Sequence, residues 1–338
     1  MKKKLILLLS MILMTLLSGC WSRVEVNDIA IVTAIAIDKV EEGKIRMSLQ
    51  VAIPMALGAA GGGGGSGGGE GEKKTTLLVS EEGETVMDAY RRLQVKLPRR
   101  ITFAHSRILL IGEKAARSGV SPILDFFSRQ RESRMRKWIL VTEGDASEIL
   151  KIKPGLERVS AEVIREEENQ PVGLRVNLRD FSDMLLTDGL EPVAPQIRQK
   201  PHDVKKKDSE SEESSKENMT AAILGAAVFH KDKLVGWMND KETRGVLWLR
   251  DEMKIGVVTI NIPEEKGEGK VSAQVLKAST KIIPTLENGR VKIEVDVSAD
   301  YDIYENASKL DLSDPRLRQS VDVQTATSPI RTREAAVV

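Results

Sequence analysis

The chain has 338 residues, 41% hydrophobic and 30% charged, with 51 Lys and Arg against 50 Asp and Glu. That apolar content suffices for globular cores, and the near-zero balance argues against a nucleic-acid binder, which carries a strongly basic face. The lone cysteine, Cys20, excludes a disulfide framework, so stability must come from packing.

Lys2, Lys3 and Lys4 precede an apolar run from Leu5 to Leu17 broken only by Ser10 and Thr15, the layout of a secretory signal over residues 1–19. The run falls short of the roughly 20 residues a membrane-spanning helix needs. It ends in Leu17-Ser18-Gly19-Cys20, which resembles the lipobox of bacterial lipoproteins. That resemblance implies that the Cys20 thiol is alkylated by diacylglycerol and that cleavage makes Cys20 the first mature residue. Several acyl chains anchor a protein stably where one does not, at about 0.8 kcal/mol per buried methylene. Without residues 1–19 the chain keeps 319 residues, with 48 basic against 50 acidic side chains. That length exceeds what one core usually organises, so about two domains are expected.

After Cys20, the β-branched run Ile29 to Ile37 reads as a buried strand ended by Asp38, and Glu41-Glu42-Gly43 as a turn. Ile45, Met47, Leu49, Val51 and Ile53 alternate with polar or small residues, giving a half-buried hairpin partner that Pro54 stops. Residues 58–71 are nearly all glycine and read as a flexible loop. They contain a formal G-x-S-x-G at Gly64 to Gly68, without the strand-to-helix context that a nucleophile elbow requires.

Thr75 to Val79 reads as a short strand, and Thr85 to Asp88 as the capped start of a helix that Pro98 ends. A strand is expected over Thr102 to Ile111. A helix with Ser121 as cap and Pro122 at its first position is expected through about Arg129. Trp138 to Thr142 reads as a strand, and Asp145 as the cap of a helix with Glu148 three residues on. Further helices are expected at Ser160 to Asn169 and, capped by Asn177, through Leu186. Residues 20–198 thus alternate helices and strands and form an N-terminal α/β domain.

Residues 199–218, with Lys205-Lys206-Lys207-Asp208 and a Ser/Glu-rich stretch, read as a charged linker at a domain boundary. Beyond it come a hairpin at Ala222 to Trp237, a helix at Asn239 to Asp251, and strands at Ile255 to Ile262, Val271 to Ile283 and Val291 to Tyr304. The last two are joined at Asn288-Gly289, a strong two-residue turn signal. The expected architecture is multidomain α+β, mixed α/β, with packed helices and an antiparallel sheet in the C-terminal half.

No enzyme signature, cofactor motif or metal-ligand spacing stands out. His105 lies in an expected strand, His202 in the linker and His230 at a hairpin turn, each apart from other ligands at any motif spacing. Asp296, Asp300 and Asp302 alternate with Val295, Val297 and Tyr301, the pattern of a solvated strand face rather than a cation site. Arg129, Arg131, Arg134 and Arg136 with Lys137 form a basic run able to touch lipid phosphates, at about 1 kcal/mol per cation near an anionic surface. The plainer reading of that run is a solvated helix end and loop.

Several stretches together resemble the Ger(x)C lipoproteins, the C subunits of nutrient germinant receptors in spore-forming bacteria. They are Gly19-Cys20-Trp21 with Glu25, Ile29 to Val32 and Ala34 to Asp38, Phe103-Ala104-His105-Ser106-Arg107 on to Glu113, Gly119 to Arg129, Leu234 to Trp237, and Glu242 to Trp248. The resemblance runs to about Leu312. It implies a non-enzymatic protein, lipid-anchored through Cys20 at the outer surface of the spore inner membrane, beside integral-membrane A and B type subunits. A nutrient ligand is possible but unassigned. Family members continue past Asp314-Pro315 into a long amphipathic helix and a closing strand. Here Gln319 to Val338 shows no apolar periodicity, so 219–312 is expected as an incomplete C-terminal domain and 313–338 as an atypical tail. The alternative reading is an extracytoplasmic ligand-binding or cell-wall-associated lipoprotein.

Overall fold

A computed structural model of the protein describes residues 2–4, 25, 28–53, 75–152, 173–201, 219–253, 256–266 and 268–309. Cys20, the glycine tract at 58–71, the helix expected at 160–169, His202 with most of the linker, and the tail at 313–338 lie outside the described residues.

The apolar run beginning at Ile29 is the central strand β1, Ile29–Lys39. It pairs antiparallel with β2, Ile45–Ala52, which pairs in turn with β3, Thr76–Gly83. On its other side β1 runs parallel first to β4, Arg100–Thr102, and then to β5, Ile108–Gly112. The sheet continues in parallel through β6, Trp138–Thr142, and β7, Val193–Pro201, and ends in an antiparallel hairpin of β8, Met219–His230, and β9, Lys233–Met238. The result is a nine-stranded mixed sheet.

The strand expected over Thr102 to Ile111 is therefore two strands around a turn. β1 carries a bulge between Val32 and Ala34, and across it the partner changes from β4 to β5. The Thr33 carbonyl at this point accepts from the Arg107 N–H at 3.1 Å. A bulge inserts one residue and shifts the alternation. Ala30 and Val32 face the larger core before it, and Ile35 and Ile37 face the same core after it. His105 consequently sits in a turn, not in a strand.

Both faces of the central strands are covered, which is why they read as unbroken apolar runs. The larger core lies under five helices: α1, Val86–Lys96; α2, Glu113–Ser118; α3, Ser121–Arg129; α5, Leu178–Leu186; and α6, Asp240–Leu249. Ala34, Ala36, Ile108, Leu110 and Leu140 point the other way, under α4, Ala146–Leu150. α2 had no counterpart among the expected elements, being a single polar-faced segment of six residues.

Capping followed the sequence at some helices and not at others. Asn177 and Asn239 form complete capping boxes with Asp180 and Glu242. Thr85 accepts from Asp88 N–H, while the Asp88 carboxylate reaches Glu84 N–H at 3.2 Å. Ser121 is not the cap of α3; Val120 holds that position and Pro122 stands in the first turn. Asp145 does not cap α4 with its side chain. The buried Asp38 carboxylate does so from the end of β1, accepting from Ala146 N–H at 2.6 Å and Ser147 N–H at 3.0 Å. Gly112 lets Asp38 through, since a Cβ there would collide with the Asp38 carboxylate.

The sheets do not divide where the composition does. β8 and β9 extend the first sheet, and the second sheet starts only after Met253, with β10, Gly256–Ile262, β11, Gly269–Glu287, and β12, Arg290–Ser308. All three strands are antiparallel. Asn288 and Gly289 both adopt positive φ, 52° and 74°, the two-residue turn that the sequence indicated. α6 lies between the sheets, touching β8, β9 and β11, and Thr280 N–H donates to Asp251 just past its end at 2.8 Å. The α+β class expected from the sequence is the class observed.

Candidate functional site

Parallel strands place the turns before their N-terminal ends side by side. The 103–107 turn feeds β5 and the 130–137 segment feeds β6, and the Arg107 carbonyl accepts from Trp138 N–H at 2.7 Å. Between them lies a cavity of about 240 Å³ lined by His105, Ser106, Arg107, Arg134, Arg136 and Lys137, with Trp138 and Ala104 completing the wall. The lining holds four basic side chains and an imidazole and no carboxylate.

Lys137 is only 1% exposed. Its Nζ donates to Ser106 Oγ at 2.9 Å, and Ser106 Oγ donates onward to the Phe103 carbonyl at 2.8 Å. The ammonium also stands 4.4 Å from the centre of the Phe127 ring and 5.5 Å from that of Phe103. These two rings belong to a cluster completed by Tyr90 and Phe126. Ring faces compensate a desolvated cation in part. Burial still pulls the Lys137 pKa down to about 7. Lysine is almost never fully buried without a paired charge, and no carboxylate among the described residues pairs with this one. The sequence placed Lys137 in a basic run but gave no sign that it turns inward. Of that run, Arg129 points elsewhere and pairs with Asp125 at 2.8 Å on α3.

A second, larger groove of about 610 Å³ opens beside the far end of β1. Ile45, Val86, Ala115, Ile123 and Phe126 give it an apolar floor, and Lys39 and Glu84 stand on its rim. Such a groove suits an apolar or amphipathic group rather than an ion. No periodicity in the sequence brought these residues together, because they come from a strand and three helices.

The remaining candidates take structural places. His230 Nδ1 lies 2.9 Å from Glu191, whose other carboxylate oxygen accepts from Lys231 N–H at 2.6 Å. That backbone bond holds Glu191 below the usual carboxylate range. The pair ties the β8–β9 turn to the segment before β7, a partnership across 39 residues that spacing could not reveal. Asp296, Asp300 and Asp302 are exposed on β12 opposite Lys281, Lys277 and Gln274. Their neighbours Val297 and Ala299 pack inward, so they form the solvated face of a strand. Burial pushes the Asp38 carboxyl above its usual range, with the Ala146 and Ser147 N–H groups working against that rise. No helix among the described residues is long and apolar enough to cross a membrane.

Comparison with known proteins gives this geometry a context. Residues 22–199 match the spore germination protein N-terminal domain, and residues 224–328 match the spore germination B3/GerAC-like C-terminal domain. The chain is 32% identical to Bacillus subtilis YfkR, over 89% of this chain and 74% of that protein. It is 29% identical to Bacillus subtilis spore germination protein KC, over 95% of this chain and 79% of that protein. The crystal structure of the GerBC protein aligns with a TM-score of 0.41 at 18% identity, over 86% of this chain and 76% of that one. With both halves matched in order along its length, the chain belongs to the GerAC, or Ger(x)C, family of spore germination proteins.

Proposed function

We propose that this chain is the lipid-anchored, non-enzymatic C subunit of a spore nutrient germinant receptor. It is held through Cys20 at the outer surface of the inner membrane and works beside integral-membrane A and B type subunits. The observation that carries the reading is the pair of consecutive family matches, the first of which begins at residue 22, two positions after the lipobox-like Leu17 to Cys20. The apolar side chains displayed on β11 and β12, among them Ile282, Leu286 and Ile293, suit contact with partner subunits.

Two measurements test this. Deleting the gene should abolish or slow germination with at least one nutrient, and an unchanged response to every nutrient in a strain without redundant receptors would overturn the receptor assignment. Natural protein from a spore-forming host should carry a lipid-sized mass increment and stay with membranes, and Cys20→Ala should lose both. A soluble, unmodified natural protein would remove the anchor. The alternative, an extracytoplasmic ligand-binding lipoprotein, is favoured by the 610 Å³ apolar-floored groove. Recovery of one small molecule bound to purified protein, together with a normal germination response in the deletion strain, would select it.

A further inference from the structure

The cavity before β5 and β6 concentrates positive charge that nothing in the described protein neutralises. Arg107, Arg134 and Arg136 are exposed, and none of their side chains holds a carboxylate among the described residues. Elsewhere in the same body Arg46, Arg100, Arg117 and Arg198 pair with Glu82, Glu132, Glu113 and Glu143. The same cavity is lined by the buried Lys137, whose ammonium donates to Ser106. Like charges gathered over a desolvated ammonium repel one another unless an anion joins them. Guanidinium forks and a fixed ammonium match the several oxygens of a phosphate group.

The position of the cavity selects the source of that phosphate. β1, β4, β5 and β6 are parallel, so their N-terminal ends share one edge of the sheet. The chain reaches β1 at Ile29, whose register partner is Arg100, and the Thr33 carbonyl holds the Arg107 N–H. Ile29 lies nine positions after Cys20. An extended chain of nine residues spans at most about 30 Å. A tether at Cys20 therefore keeps the start of β1 within about 30 Å of the bilayer and the cavity, level with Thr33, within about 45 Å, on the side of the protein that the anchor holds near the headgroups.

We infer that the cavity formed by His105, Ser106, Arg107, Arg134, Arg136 and Lys137 binds the phosphate of an anionic glycerophospholipid headgroup and so seats the N-terminal edge of the sheet on the membrane. The choice of lipid over soluble phosphate rests on the Cys20 anchor proposed above; the anion site itself rests on the cavity alone.

The test is thermal unfolding of the full chain in neutral detergent, natural and Cys20→Ala, titrated with short-chain phosphatidylglycerol, with phosphatidylcholine of the same chain length, and with inorganic phosphate. Phosphatidylglycerol should raise Tm in both forms, since a ligand that binds only the folded state stabilises it. Phosphatidylcholine should not, and phosphate should do so only at much higher concentration. In Arg134→Gln/Arg136→Gln the half-saturating phosphatidylglycerol concentration should rise about twenty-five-fold, from two cations contributing roughly fivefold each. Arg107→Gln, which removes another exposed side chain, serves if the double variant fails to fold. Equal response to phosphate and phosphatidylglycerol would make the site one for soluble anions and overturn the lipid assignment. No response to either, or equal response to both lipids, would overturn the site. Because Cys20→Ala reports membrane retention separately, loss of the anchor and loss of the anion site give different results.

Discussion

The two sheets use the same kinds of residue and reach opposite ends. In the nine-stranded sheet Ile35, Ile37, Leu109 and Ile111 are fully buried. On the long β11–β12 hairpin Ile282 is 51% exposed, Ile293 52% and Leu286 74%. The difference lies in the connections. Parallel neighbours require a crossover, and here the crossovers carry helices that return over the sheet. The Asn288-Gly289 turn joins two strands of 19 residues in two residues and supplies no cover. The second sheet joins the larger core through Val275, with Val258, Ala278, Val297 and Ala299 packed against it, where α6 touches β11. Burial thus follows from how a strand is connected as much as from what it is made of.

The largest effect is expected inside the covered body. Phe127→Ala removes a fully buried ring from the cluster that also faces Lys137, and should cost about 3–5 kcal/mol in chemical denaturation. A loss below about 1 kcal/mol would mean that the cluster is not the tight core described. Asp38→Ala leaves the Ala146 and Ser147 N–H groups without their acceptor in a buried place, and should cost about 2–3 kcal/mol. Hydrogen exchange at those two amides should quicken more than in the helices of the opposite face; uniform quickening would remove the local cap.

Lys137→Met sharpens the comparison through pH. The folded-state pKa, about 7, lies below the ordinary lysine value of 10.5, so between these the unfolded chain binds more protons and the stability of the natural protein rises with pH. His105, Arg107, Arg134 and Arg136 line the cavity beside the ammonium, while Ser106, Phe103 and Phe127 contact it. The variant has no such group. Its stability relative to the natural protein should be greatest below pH 7 and fall by roughly 2–3 kcal/mol between pH 7 and 9, at about 1.4 kcal/mol per unit. A difference independent of pH over that range would show that Lys137 stays charged. The smallest effect on folding belongs to the open hairpin, where Leu286→Ser and Ile293→Ser should each change stability by less than about 0.5 kcal/mol. If the hairpin meets partner subunits, the same changes should lower recovery of the partners from spore membranes by affinity capture, and unchanged recovery would place that contact elsewhere.

Local chemistry made much of the fold legible. Ile29 to Ile37 announced a buried strand because both its faces are apolar, and Asn177, Asn239 and Asn288-Gly289 announced helix starts and a hairpin because each acts within a few residues of itself. The interruption at 103–107 was hidden, since Phe103 and Ser106 are as buried in the turn as strand residues would be. The continuation of the first sheet into β8 and β9 was hidden as well, because the charged composition of 199–218 says nothing about which strands pair on either side of it. The basic cavity lies in the same category. Its arginines were visible as a run, yet His105, Ser106 and Arg107 stand about thirty residues away, and only the parallel pairing of β5 with β6 sets the two turns together. Asp38 and Lys137 make the limit plain. Sequence determined that one is a carboxylate ending a strand and the other a cation in a basic run, because those properties belong to the residue. Tertiary structure decided that one caps a helix 108 positions away and the other is buried against two rings, because burial and hydrogen bonding depend on what the fold brings alongside.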